Sequence, residues 1–177
     1  MLPTKPKIKR TKTAKQALES LMRLCARAER SSGDALRLMK GWEVPMAEQA
    51  GVLQQLIRER YIDDGRYAEA FVREKSNLTA WGEYKIRTAL RRKGIADQII
   101  AEALSQLNPQ QNRARLVERL RRKAKGLKYD NLYQLKTKLI RYGASLGFPM
   151  EEVIESADEV IREINNDKDI CEEEFYL

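Results

Sequence analysis

The stretch Tyr61–Ile95, YIDDGRYAEAFVREKSNLTAWGEYKIRTALRRKGI, limits the fold most, because apolar residues recur in it at three- and four-residue spacing between helix start and stop signals. Asp63 and Asp64 are N-cap candidates for a helix whose inner face holds Tyr67, Ala68, Phe71 and Val72. The segment SNLTAWG then reads as a loop. A further helix from about Glu83 buries Ile86, Ala89 and Leu90 and is closed by Gly94 in a left-handed C-cap. Helices this short are marginal alone, so each must bury its apolar face against neighbours.

The same grammar runs through the rest of the chain. Ala17, Leu18, Leu21, Leu24, Cys25 and Ala28 predict a first helix from about Thr13 to near Ser31. Ser32 caps a second, with Ala35, Leu36 and Met39, that ends around Gly41. Val44-Pro45 opens a third, with Ala50, Leu53, Leu56 and Ile57 inside. After the two helices of the middle stretch, Asp97 caps a sixth, and Asn108-Pro109 starts a seventh with Val117, Leu120 and Ala124 buried. Asp130 caps an eighth, carrying Leu132, Leu135, Leu139 and Tyr142, which Gly143 breaks. Phe148-Pro149 opens a ninth, with Met150, Ile154, Ala157, Ile161 and Ile164 inside.

The expected fold is therefore all-α, an elongated right-handed-helix array of about nine helices in three tandem three-helix units. The units span 13–62, 63–107 and 108–166, between a disordered basic arm (1–12) and an acidic tail (167–177). In each unit the second helix runs from a leucine to a glycine, Leu36 to Gly41, Leu90 to Gly94 and Leu139 to Gly143, at spacings of five, four and four. An array of this kind offers a long concave surface in place of a deep pocket.

Charge bears on what that surface meets. The net +8 conceals an asymmetry: residues 151–177 hold eleven acids against two bases, while residues 1–150 hold 32 bases against 15 acids. So basic a surface attracts polyanions and responds to salt. In the fifth helix Lys85, Arg87, Arg91 and Arg92 flank the buried Ile86 and Leu90 face. The seventh is denser, with Arg115, Arg119 and Arg122 on one stripe and Arg121, Lys125 and Lys128 beside it. Like charges this close repel, and a partner's anions would offset that. The competing reading is a solvated face, since no aromatic platform is interleaved. The acidic face of the ninth helix, Glu151, Glu155, Asp158, Glu159 and Glu163, is either solvated, packed near the basic helices as a screen, or directed at a basic partner.

Catalytic grammar is missing. The chain has no histidine, two distant cysteines (Cys25 and Cys171), no GxxxxGK[ST] and no GxGxxG, so no catalytic residue, cofactor or metal is expected. It has no apolar run of about 20 residues either, which leads us to expect a cytoplasmic monomer that spans no membrane.

Tyr61-Ile62-Asp63-Asp64, then Arg66-Tyr67-Ala68 with Phe71, then Gly82, Ile86, Leu90 and Lys93-Gly94-Ile95, match in order and spacing the pattern of the RecX family, bacterial modulators of the RecA recombinase, and the chain resembles that family over most of residues 15–165. In the third unit the family places a glycine next to an aromatic, whereas here ASLG separates Gly143 from Phe148. The resemblance implies three tandem three-helix units, binding in the groove of the RecA filament on single-stranded DNA, and inhibition of RecA's ATPase and strand exchange, hence restraint of recombination, DNA repair and the SOS response. Lys85, Arg87, Arg91, Arg92, Arg115, Arg119 and Arg122 are then the contact candidates, on a scaffold of Asp63, Asp64, Tyr67, Phe71, Gly82, Ile86, Leu90 and Gly94. Single-stranded DNA is met directly or through RecA. The alternative is a sequence-independent nucleic-acid-binding helical protein.

Overall fold

The computed structural model describes residues 11–173, the backbone alone from 167 onward. Among these residues the fold is all-α, with nine helices in tandem three-helix groups: α1 (Ala14–Cys25), α2 (Ser32–Gly41), α3 (Met46–Arg58), α4 (Asp64–Thr79), α5 (Glu83–Arg92), α6 (Asp97–Leu104), α7 (Pro109–Lys125), α8 (Leu132–Ser145) and α9 (Met150–Glu173). The arm expected at residues 1–12 lies mostly outside the described residues, and α9 continues to Glu173, into the stretch expected as a tail.

Several expected boundaries move, each for a local reason. Helix α1 stops at Cys25, and Ser31, not Ser32, caps α2 by accepting the Asp34 N–H at 3.1 Å. Asn131, not Asp130, caps α8, its side chain taking the Gln134 N–H at 2.9 Å. The expected loop SNLTAWG is helical through Thr79, whose hydroxyl donates to the Lys75 carbonyl at 2.6 Å, which leaves Ala80, Trp81 and Gly82 as the connection. The buried stripe of α9 is Val153, Ala157 and Val160, while Met150 and Ile154 are 53% and 38% exposed. Helix α9 packs on both α7 and α8, and that shared contact selects the face. In α3 the buried residues are Val52 and Leu56, with Ile57 turned outward.

The described chain forms two compact units whose borders fall inside α4, α5 and α6: residues through Glu69 with Leu90–Ala101, and Ala70–Ala89 with Glu102 onward. In the first, Ala17, Leu21, Ala35, Met39, Val44, Val52, Leu56 and Ile62 make the core. In the second, Leu116, Leu120, Leu135, Leu139, Phe148, Val153 and Val160 do.

A recurring joint lies within each unit. After α5, Gly94 (φ 79°) donates to the Arg91 carbonyl and Ile95 to that of Leu90, the two bonds of a Schellman cap. After α2 the same pair of bonds is made by Glu43 (φ 57°) to Lys40 and Val44 to Met39. After α8 the left-handed residue is Gly147 (φ 87°), directly before Phe148. The helix-breaking role expected of Gly143 therefore belongs to Gly147. Gly143 sits inside α8 because an added Cβ would meet Val153 at 2.7 Å, so its bareness lets α8 and α9 close on each other. The left-handed residues Glu43, Gly94 and Gly147 each follow the second helix of a group, and at Gly147 the separation of glycine from aromatic disappears.

Each of the two glycine caps receives another glycine. Gly33, at the start of α2, lies so close to the end of α5 that an added Cβ would be 2.2 Å from the Lys93 carbonyl oxygen, while the Ser31 hydroxyl donates to that oxygen at 2.8 Å. Gly82, just before α5, has the same relation to the end of α8: an added Cβ would fall 2.3 Å from the Gly147 oxygen.

Among the described residues three that are not glycine, Glu43, Arg60 and Ala80, take left-handed backbone. For a residue with a Cβ this costs about 1 kcal/mol. Arg60 is exposed, so Arg60→Gly should raise stability by about 0.5–1 kcal/mol in a denaturant melt. A variant no more stable than its parent would refute that strain.

Candidate polyanion interface

Helix α7 begins where Asn108 accepts the Gln111 N–H at 3.1 Å and Pro109 occupies the first turn. Leu116, Val117, Leu120 and Ala124 then fix one face in the core, against α8 and α9. The arginines outside that face divide into two sets.

One set meets α9. Arg121 donates to Glu163 through Nε at 2.8 Å and Nη2 at 2.7 Å, and to Glu118 through Nη1 at 2.7 Å. Arg113 reaches Glu159 at 3.4 Å and Glu155 at 3.8 Å, and Lys136 on α8 pairs with Asp158. Glu155, Asp158, Glu159 and Glu163 of the acidic face thus meet basic side chains of α7 and α8, while Glu151 is exposed. The Glu163 carboxyl is held below the usual carboxylate range by the Arg121 hydrogen bonds, and Glu118 by those of Arg122 and then Arg121. These pairs are largely solvated, so each contributes little to stability.

The other set lines an open cavity of about 340 Å³ between α7 and the end of α4. Asn77, Leu78 and Ala80 form one wall, and Arg115, Glu118, Arg119 and Arg122 the other. Arg122 donates to Glu118 at 2.8 Å. Arg115 and Arg119 have no ion pair or hydrogen bond among the described residues, and the Nε of Arg119 is buried without an acceptor. A buried donor left unpaired costs about 1–3 kcal/mol. Leu78, 72% exposed, stands at the rim.

The remaining candidates do not join this group. Lys85 donates to the Ser145 carbonyl at 2.9 Å and lies 4.7 Å from the Trp81 ring centre, beside the Gly82–Gly147 contact. Arg87 pairs with Glu83 and Arg91 with Asp97 at 2.6 Å. Arg92 is exposed and has no partner among the described residues.

The scaffold residues have definite work. Asp63 accepts the Arg66 N–H at 2.9 Å, capping α4. Asp64 instead accepts the Ser32 N–H at 2.8 Å, tying the start of α2 to the start of α4. Ile86 and Leu90 are fully buried and Tyr67 nearly so. Phe71 meets Trp81 edge to face at 6.3 Å. The cavity's α4 wall falls in the stretch that the sequence reads as loop, because α4 continues through Asn77 and Leu78 to Thr79, with Ser76 buried in the same turn. Among the described residues no group of three or more His, Cys, Asp or Glu could hold a metal, and no helix is long and apolar enough to cross a membrane.

The described residues thus define an all-α protein of tandem helical units with an arginine-lined surface on α7. Residues 63–104 match the family model described as RecX, second three-helix domain. The chain is 30% identical over 148 residues to the regulatory protein RecX of Chlorobium phaeobacteroides (strain BS1), covering 84% of this chain and 95% of that one. It is 29% identical over 126 residues to regulatory protein RecX of Bacillus mycoides (strain KBAB4), where it spans 46% of the relative's length. Its fold is similar to the crystal structure of RecX from Lactobacillus salivarius, with a TM-score of 0.71 and 20% identity over 86% of this chain and 96% of that one. The chain belongs to the RecX family of regulatory proteins.

Proposed function

We propose that this protein binds the RecA filament on single-stranded DNA and inhibits RecA's ATPase and strand exchange, restraining recombination, DNA repair and the SOS response without catalysis of its own. Kinship with RecX over most of the chain carries the reading. The geometry adds a means: of the candidate cations, Arg115 and Arg119 have no acid paired to them among the described residues, and Arg122 stands with them on the cavity wall. The filament, a protein wound on a polyphosphate, supplies the anions. Lys85, Arg87 and Arg91 each have a partner within the fold, and Arg92 remains a contact candidate.

The test is RecA's DNA-dependent ATPase at moderate salt with the protein added below one copy per RecA. Inhibition at that ratio is the expected result, and an ATPase left untouched refutes the proposal. The second reading, a protein that coats naked strands, is favoured by the charge excess of residues 1–150 alone. Inhibition that appears only when enough protein is present to cover the strand would select it.

A further inference from the structure

We propose that the cavity between the end of α4 and α7 seats a phosphodiester group of a single-stranded nucleic acid, with the Arg119 guanidinium as its fork. The inference rests on the filament reading above and names which component of the filament this cavity meets.

Four observations favour a nucleic-acid phosphate over a protein carboxylate. First, Arg119 lines the cavity with its Nε buried and unpaired, and a planar guanidinium presents two parallel N–H groups that match two oxygens of a tetrahedral anion. Second, Arg115, Arg119 and Arg122 follow one another at i, i+4 and i+7, a row of roughly 10 Å along the helix. Such a row suits a repeating anion better than one isolated side chain. Third, the carboxylate in the cavity, Glu118, is already bound by Arg121 and Arg122 at 2.7 and 2.8 Å, so its charge is met inside the protein. Fourth, the facing wall is apolar where Leu78 and Ala80 stand, a surface that accommodates the C–H face of the sugar flanking a phosphate. Four acids of α9 are engaged elsewhere, Glu155 and Glu159 with Arg113, Asp158 with Lys136 and Glu163 with Arg121.

The decisive variant is Arg119→Lys, which keeps the charge and removes the fork. Its comparison is Lys125→Gln, which removes a charge from an exposed residue of α7 outside the cavity. The probe is a fluorescent 20-nucleotide oligo-dT, titrated by anisotropy without RecA at fixed moderate salt, each variant first checked for wild-type helicity and melting. Arg119→Lys should weaken binding about tenfold, the loss expected for one charge-assisted hydrogen-bonded contact. Lys125→Gln should weaken it by less than about threefold, and Arg115→Gln should lower the slope of log affinity against log salt by about 0.7.

Wild-type affinity in Arg119→Lys overturns the proposal, and so does an equal loss in Arg119→Lys and Lys125→Gln, which would reduce the effect to bulk charge. If Arg119→Lys binds oligo-dT normally but no longer inhibits RecA, the cavity grips protein: the phosphate seat is overturned while the filament reading stands. If Arg119→Lys loses oligo-dT binding as expected while the wild-type protein leaves RecA's ATPase untouched, the phosphate seat stands and the filament reading falls.

Discussion

Reversing Arg115, Arg119 and Arg122 together to glutamate is expected to lower affinity for the RecA filament by a hundredfold or more while leaving the protein folded. Arg115 and Arg119 make no ion pair or hydrogen bond among the described residues, so little intramolecular stability goes with them. Losing two charge-assisted contacts worth about 1.5–3 kcal/mol each would by itself cost about a hundredfold in affinity, before the repulsion of three new carboxylates. The measurement is the protein concentration that half-inhibits RecA's DNA-dependent ATPase, read beside circular dichroism and thermal melting. A triple variant that folds and inhibits like the parent removes this cavity from the interface without touching family membership. Reversing Arg113 and Arg121 should act on the protein itself, because those side chains bind α9 carboxylates, and the expected sign is a lower melting temperature.

Gly82→Ala is expected to damage the second unit severely. An alanine Cβ there would lie 2.3 Å from the Gly147 carbonyl oxygen and 2.6 Å from the Phe148 nitrogen, both backbone atoms that no side-chain rotation can move aside. Relief requires α5 to withdraw from the end of α8, which breaks the Gly82 N–H bond to the Leu146 carbonyl at 2.8 Å and the Lys85 bond to Ser145. Overpacking against a fixed neighbour costs about 1–3 kcal/mol, and with the lost hydrogen bonds we expect about 3 kcal/mol or more, a fall in Tm of roughly 6–12 °C. Gly51→Ala is the matched control: it lies inside α3 with no atom within 4 Å of the added Cβ, and should be neutral or stabilising by up to about 1 kcal/mol. Equal melting temperatures for the two variants would contradict the close approach.

Much of the fold was legible because helix signals are local. Asn108-Pro109, the start at Glu83 and the glycine cap at Gly94 could be placed from spacing and capping chemistry alone. What failed depends on partners distant in sequence. Gly143 looks like a stop signal until Val153, ten residues on, presses against it, and Glu43 carries no mark of the left-handed backbone it adopts. The stripe of α9 could not be chosen by period, since Val153 and Ile154 both continue an apolar row, and contact with α7 and α8 decides between them. The site divides in the same way. Positive charge on α7 was visible, but sorting Arg113 and Arg121 from Arg115 and Arg119 required knowing where the acids of α9 lie.

The paired glycines bear on how such a chain grows. Gly33 at the start of α2 receives the cap that ends α5, and Gly82 at the start of α5 receives the cap that ends α8. A segment that carries a bare glycine at the head of its second helix and a left-handed residue at that helix's foot holds both halves of the joint. Tandem duplication of that segment would produce a new seam already matched to the old one, with no compensating mutation in either copy.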